Sequence, residues 1–469
     1  MTAIAWLRRE MRVHDNTALV EAARDHDEVV PLYVVDEDYF ENGDADYLEL
    51  GYPRVKFWHE SLKELRSLLG KRGADLVVRQ GSPVEELKRV VEEAEADAVY
   101  VNEDYTPYSK ERDGRAEEQL EVPFKSFTDV MMHPPDSIQT SKGTPYKVFT
   151  YYWRKWKDRE KPEPREVREF QVPDVGSGEI PALEEIGYED RGLEWWEGGR
   201  EAGMERLENF IGKIGEYEER RDFPAEDATS KLSPHLKFGT VSVREVFQAA
   251  EEAREDGADE EGVETWEQEL AWRDFYFQAL HHWPETVEKA FLEQYRGMDW
   301  EEDGERWERF VEGRTGYPFV DAGMRQLNAT GWMHNRLRMV VTSFCAKDLH
   351  LDWRKLHDHF SRMFVDAELS SMVGGIQWAY SIGTDAQPYF RVFNPWTQGE
   401  RYDPEGEFIR EWVPELEDVP DEHVHRPHEM PEEVQEESGC VIGEDYPEPV
   451  VDHDEEREKA VEMFEEARE

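Results

Sequence analysis

Residues 29–36 read VVPLYVVD, a run with no polar position until its last residue. Eight residues are too few for a helix that is apolar all round, and four valines with a tyrosine favour extended backbone. A strand that is apolar at every position is covered on both faces, which marks a parallel sheet with helices above and below. The pattern recurs on either side. AIAWL (3–7), DLVVRQG (75–81), DAVYVNED (97–104) and VPFKSF (122–127) are strand-like, while NTALVEAARDH (16–26), RVKFWHESLKELRSLLGKRG (54–73) and PVEELKRVVEEAEA (83–96) carry helical spacing. Residues 1–130 are therefore predicted to form an α/β domain, a doubly wound five-stranded parallel sheet. Ligands of such sheets lie beyond the carboxyl ends of the strands. No GxGxxG follows the first strand, which argues against a dinucleotide held there in the dehydrogenase manner.

Residues 131–200 read as an interdomain connector, most clearly at KPEPREVREFQVPDVGSGEIP (161–181), where proline, glycine and charge replace apolar anchors. Residues 201–469 are predicted to be an all-helical domain, with helix starts such as Ser242-Val-Arg-Glu245, a capping box before VFQAAEEA.

Across 469 residues, 109 Asp and Glu face 56 Lys and Arg, a net charge of -53 distributed along the whole chain. An aromatic content of 12%, with 38% hydrophobic residues, opposes the disordered reading of so acidic a chain. The composition predicts a folded protein of a salt-accumulating halophile, its self-repulsion screened over a few ångströms. Cys345 and Cys440 provide neither a disulfide framework nor a close ligand pair, so no metal centre is expected. MTAIAWLRRE is not a signal peptide, no apolar run reaches about 18 residues, and a cytoplasmic location is expected.

Three segments of the helical part can carry chemistry. In WEQELAWRDFYFQAL (266–280), Glu269, Trp272, Arg273 and Tyr276 share one helical face. In GWMHNRLRM (331–339), Asn335, Arg338 and Met339 share a face with Arg336 on its flank, a set that suits a phosphate, a flavin or a nucleobase. In TSKLSPHLKFG (229–239), hydroxyls precede Pro234, read as the first helical residue after Ser233 as N-cap, an arrangement suited to a pyrophosphate. Each alone also reads as a solvated face or a capped helix.

Taken together, and with WLRREMRVHDN (6–16), TPYKVFTYYWRKW (144–156), KDLHLDWR (347–354) and GTDAQPYFRVFNPWTQGERYDP (383–404), these segments resemble the photolyase and cryptochrome flavoproteins almost from end to end. WMHNRLRM resembles the form found in class I cyclobutane pyrimidine dimer photolyases. The resemblance implies light-driven repair of such dimers in DNA, by electron transfer from excited FADH⁻ to a flipped-out dimer, in a monomeric enzyme. A cryptochrome-like photoreceptor without repair activity is the alternative it leaves.

By the same resemblance, FAD contacts fall on Tyr217, Thr229, Ser230, Lys231, Leu232, Ser233, Trp266, Glu269, Trp332, Asn335, Arg338 paired with Asp366, and Glu368. Glu269, Trp272, Asn335, Arg336, Met339 and Trp378 would receive the dimer, with Gln398 beside them. Arg221, Lys237, Arg273, Arg336 and Lys347 would form a positive island for DNA. In DAELSSMVGGIQWAY (366–380), Gly374-Gly375 is expected to be the cofactor wall. Met372 stands where the family has asparagine facing flavin N5, and Glu368 replaces the family's aspartate. Ile376 replaces the flavin-proximal tryptophan of a photoreduction relay whose outer members match Trp353 and Trp300, so that a route through Tyr380 or Trp378 is one reading and a packing change the other. Tyr108-Ser109 stands where folate-binding members carry Asn-Glu, and Arg54 and Asp104 suit an antenna of the 8-hydroxydeazaflavin type.

Overall fold

The computed structural model describes residues 1–42 and 47–468. Five strands, β1 (Thr2–Leu7), β2 (Glu28–Asp36), β3 (Val77–Gly81), β4 (Ala98–Asn102) and β5 (Phe124–Phe127), form one sheet in the order β3-β2-β1-β4-β5. All four pairings are parallel, and Trp6 of the central strand lies opposite Leu32 on one side and Val101 on the other. Every residue of β1 is buried, as its unbroken apolar run requires. The crossovers change direction between β1 and β4, so the loops after these strands diverge and leave a crevice at their carboxyl ends.

The chain divides into two compact units: Met1–Glu218 with Ser230–Pro284 and Val365–Ser371, and Glu219–Thr229 with Glu285–Phe364 and Met372–Glu469. This division differs from the sequence boundaries at 130 and 200. The Val243–Glu255 and Glu260–His282 helices belong to the unit of the sheet. A buried ion cluster explains it. Asp129 accepts from Arg12 at 2.6 Å and from Arg244 at 2.6 Å, and Arg244 also reaches Asp15 at 2.8 Å. Charges removed from water in this way hold only where each has a partner.

The expected connector is also more structured than its composition suggests. Phe149–Asp158 is a helix whose Tyr152, Trp153 and Trp156 enter a core cluster with Phe210, Trp266 and Phe275. The following segment runs along β3, where the Ser177 carbonyl accepts from Val78 N at 2.6 Å and Arg79 donates to the Val175 carbonyl at 2.7 Å. An edge strand offers unpaired backbone groups, and the proline- and glycine-rich segment satisfies them.

The second unit is helical, built around Pro318–Thr330, Asn335–Lys347 and Trp353–Met363. The capping box at Ser242 and Glu245 is present in the first unit as the sequence predicts. No helix among the described residues is long and apolar enough to cross a membrane.

Candidate functional site

On the Glu260–His282 helix the core side is formed by residues such as Trp266, Leu270, Asp274 and Phe277, while Glu269, Trp272, Arg273 and Tyr276 are half-buried. The predicted face is therefore the accessible one. Trp272 stacks on Phe149 with centroids 3.7 Å apart and planes 9° from parallel, so at most one face of its indole remains available to a base. Tyr217 and Trp266 pack edge-on and tilted against Phe210 in the same core cluster, which also takes in Leu232.

The segment 229–237 departs from the expected cap. The helix runs Ser233–Lys237, so Ser233 is its first residue rather than its N-cap, and five residues carry little macrodipole. Lys231 has φ +50°, a left-handed conformation that costs a residue with a Cβ about 1–3 kcal/mol. Thr229 Oγ1 is buried without a hydrogen-bond partner. Buried hydroxyls are normally paired, so an orphan at a predicted pyrophosphate position fits a bound FAD.

In the second unit, the Asn335–Lys347 helix begins at His334, whose ring nitrogen accepts from Arg336 N at 3.2 Å. Asn335 is exposed, while Arg336, Arg338 and Met339 are half-buried. The Arg336 guanidinium bonds Asp222 at 2.6 Å and lies 4.1 Å over the Tyr402 ring. Arg338 donates to the Met333 carbonyl at 2.8 Å and lies over Phe364.

The Leu369–Ala379 helix combines core and wall. Met372, Val373 and Ile376 are buried, whereas Ser371, Gly374, Gly375 and Trp378 form a half-open stripe at helical spacing. A Cβ added at Gly375 would meet nothing within 4 Å. That open stripe beside an indole suits a flat ligand such as a flavin. Gln377 is structural: it accepts from Phe291 N at 3.0 Å and donates to the carbonyls of Thr286 at 2.8 Å and Lys289 at 3.0 Å.

Glu368, expected near flavin, is 5% exposed and embedded in cations within the first unit. It takes two bonds from Arg9, one of them at 3.1 Å, a third from Arg273 at 3.4 Å, and lies 4.0 Å from Lys237. Burial alone would raise its pKa, but Arg9 and then Lys237 and Arg273 hold it below the usual range. Nothing in the sequence signalled this tie, because Arg9 follows β1 at the far end of the chain.

Arg9 and Lys237 also line a cavity of about 140 Å³ at the carboxyl ends of the strands. Trp6, Tyr33, Trp58 and Phe238 give it flat apolar walls. Arg54 lines it too, only 2% exposed; Nη2 donates to the carbonyls of Leu48 and Glu49, but Nε and Nη1 have no partner. Asp104 accepts from Ser109 at 3.2 Å and from Arg9 at 3.4 Å; burial would raise its carboxyl, yet Arg9, then Lys237 and Arg112, hold it down to about 2. Unpaired buried guanidinium nitrogens on a residue that lines a flat-walled cavity fit an anionic or acceptor-rich planar group.

The expected positive island for DNA is largely taken up internally. Lys347 is 0% exposed, with its ammonium 3.4 Å from the Phe464 ring centroid, and burial drives its pKa well down, so it is a core residue and the expectation is corrected. Arg273 engages Glu368 and the carbonyls of Val130 and Leu236. Lys237 lines the cavity at the carboxyl ends of the strands. Arg221 is half-buried, and Gln398 is half-buried on the Pro395–Tyr402 helix. In so acidic a chain, carboxylates claim most cations that approach the interior.

Of the relay positions, half-buried Trp300 meets the fully buried Tyr380 edge-on, with centroids 5.3 Å apart. Tyr380 sits one turn beyond Ile376 and donates its hydroxyl to the Leu351 carbonyl at 3.1 Å. Trp353 is buried under Arg354.

Residues 3–171 match the family model described as DNA photolyase, and residues 266–466 match that described as FAD binding domain of DNA photolyase. A deoxyribodipyrimidine photo-lyase of Halobacterium salinarum is 39% identical over 99% of this chain and 98% of its own, in keeping with the salt-adapted composition. The crystal structure of a class III photolyase from Agrobacterium tumefaciens superposes with a TM-score of 0.92 at 33% identity, over 100% of this chain and 98% of that one. An archaeal photolyase from Sulfolobus tokodaii, described with two FAD molecules and the implication of a novel light-harvesting cofactor, gives a TM-score of 0.85 at 33% identity over 99% of this chain and 100% of that one. With both family models matched and relatives aligned along nearly its whole length, this chain belongs to the DNA photolyase family.

Proposed function

We propose that this protein is a deoxyribodipyrimidine photo-lyase, repairing cyclobutane pyrimidine dimers in DNA by light. The observation that carries this reading is the 39% identity with a relative of that name over 99% of this chain. Reduced FAD, when bound, supplies under blue or near-UV light the electron that opens the cyclobutane ring and then returns.

The chain's own residues bind and orient. A flipped-out dimer loses its stacking, and the side of Trp272 away from Phe149 and the half-buried Trp378 would replace it. Glu269 would accept a hydrogen bond from a thymine edge, with Asn335 and Met339 beside the base. Arg336, tied to Asp222 and Tyr402, orients rather than roams. Thr229, Ser230, Lys231 and Ser233 would serve the pyrophosphate, and Trp332, Arg338, Asp366 and Met372 the flavin ring system. Trp300 and Tyr380 offer an aromatic path in place of the one lacking at Ile376. The unpaired nitrogens of Arg54 in a flat-walled cavity support a planar antenna of the 8-hydroxydeazaflavin type.

The test uses purified protein in concentrated KCl with FAD chemically reduced. It is illuminated with an oligonucleotide carrying one thymine dimer, and restored thymines are counted. Repair supports the reading. Bound substrate and reduced FAD without repair would move it to a photoreceptor.

A further inference from the structure

The C-terminal end of the Glu260–His282 helix carries a donor set that the photolyase reading does not use. One ligand atom each from Asp136, His281 and His282 can be chosen so that all three lie within 4.8 Å of one another. The Asp136 carboxylate lies 3.7 Å from His281 Nε2 and 3.4 Å from His282 Nε2. Neither contact is a formed hydrogen bond, and His282 Nε2 is buried without a partner, as is His281 Nδ1. Two imidazoles and a carboxylate converge without satisfying one another.

The segment bearing Asp136 is pinned to the same helix. Asp274, two turns before His281, accepts from Met132 N at 3.0 Å, from His133 N at 3.2 Å and from Trp156 Nε1 at 2.8 Å. The Pro134–Ser137 turn then closes through Ser137 N on the Pro134 carbonyl at 2.9 Å, and Arg159 holds the Ser137 carbonyl at 3.1 Å. The His281 ring packs edge-on against Tyr105 at 5.7 Å. The ligands are thus positioned by the fold before any ion arrives, which reduces the ordering cost of binding.

We propose that Asp136, His281 and His282 bind a divalent transition metal, a zinc-class cation, that clips the 131–137 segment to the end of the helix. Imidazole nitrogens favour Zn²⁺, Ni²⁺ or Cu²⁺ over Mg²⁺ and Ca²⁺, which take oxygen ligands. The last helical turn presents its negative end to a cation. Lys110, which donates to the His281 carbonyl at 3.3 Å, opposes a second positive charge and sets the affinity at the modest end. Three protein ligands leave the remaining coordination positions to water. The cysteine and close-pair criteria applied to the sequence did not find this site, because Asp136 is remote from the histidines along the chain.

The test uses the flavin-loaded full chain, stripped with a chelator and titrated with Zn²⁺ against a chromophoric competitor. Because the chain has 15 histidines, the readout is the difference between parent and variants. The parent is expected to bind one Zn²⁺ more than the H281A/H282A double variant, and Asp136→Asn to weaken that site by about tenfold or more. Cu²⁺ bound to the parent should show two nitrogen ligands by electron paramagnetic resonance. Equal stoichiometry and affinity in parent and double variant would overturn the proposal. Should the double variant fail to fold, an Asp136→Asn protein with native circular dichroism and unchanged Zn²⁺ affinity would overturn it equally.

Discussion

Replacing Glu368 by glutamine removes one negative charge from a buried group of three cations while leaving side-chain size nearly unchanged. Arg9 and Arg273 cannot release a proton, so their charge stays in place. Asp104, 3.4 Å from Arg9, is the carboxylate left to balance them. Lys237, whose pKa burial already lowers, can relieve part of the strain by deprotonating. Breaking a buried ion pair from one side costs about 3–5 kcal/mol. Glu368 is 5% exposed, so little solvent screening reduces the effect. We expect Glu368→Gln to lose about 4 kcal/mol, close to a thousandfold in the folding equilibrium of the sheet-bearing unit, and Glu368→Asp, which keeps the charge, to lose less. Urea unfolding in constant high KCl, followed by tryptophan fluorescence, measures this as a shift in midpoint at constant slope. Adding FAD separates the alternatives: a loss arising from poorer flavin binding is recovered by excess FAD, whereas an ion-pair loss is not. A Glu368→Gln midpoint equivalent to less than about 1 kcal/mol of destabilisation would refute the reasoning.

Asp104 makes the pH dependence explicit. Its folded pKa of about 2 lies below the usual 3.8, so its contribution, about 2 kcal/mol, is complete above pH 4 and is lost as pH falls towards 2; acid unfolding of Asp104→Asn should lack that component. Arg54→Leu should remove an unpaired buried charge, stabilise the antenna-free protein, and weaken binding of an added deazaflavin by about tenfold or more, read by fluorescence quenching. Tyr380→Phe should slow flavin photoreduction while leaving repair by chemically reduced enzyme intact; photoreduction at the parental rate would exclude the path through Tyr380. With most interior cations already paired, affinity for dimer-containing DNA should fall with a log–log salt slope shallower than about -3, measured by anisotropy; a slope near -6 would mean many free phosphate contacts.

The sheet was legible because burial on both faces writes itself into consecutive residues, as in VVPLYVVD. The helical faces at 269–276 and 335–339 were legible because spacing alone sets which side chains stand together, and the structure leaves Glu269, Trp272, Arg273, Tyr276, Arg336, Arg338 and Met339 half-buried and Asn335 exposed. What stayed hidden depends on partners distant in sequence. Glu368 read as a flavin contact because its engagement with Arg9 exists only in three dimensions. Lys347 read as a surface cation because of its charge, although Val340, Val341, Phe344, Cys345 and Ala346 before it are mostly apolar and signal burial. Proline and glycine at 161–181 pointed to a linker, and the backbone groups they lend to β3 could not be seen without the sheet.

The three hydrogen bonds of Gln377 have a consequence for how this protein can change. An amide that meets three backbone groups of the 286–291 segment fixes the rotation of the Leu369–Ala379 helix about its own axis. A slip of one residue would turn the helix by about 100° and carry Met372 and Ile376 toward the open stripe. With that rotation locked, the two buried positions are free to drift among apolar side chains while Gly374, Gly375 and Trp378 keep their orientation. A lineage can thus alter residues behind the glycine stripe without first rebuilding the stripe itself.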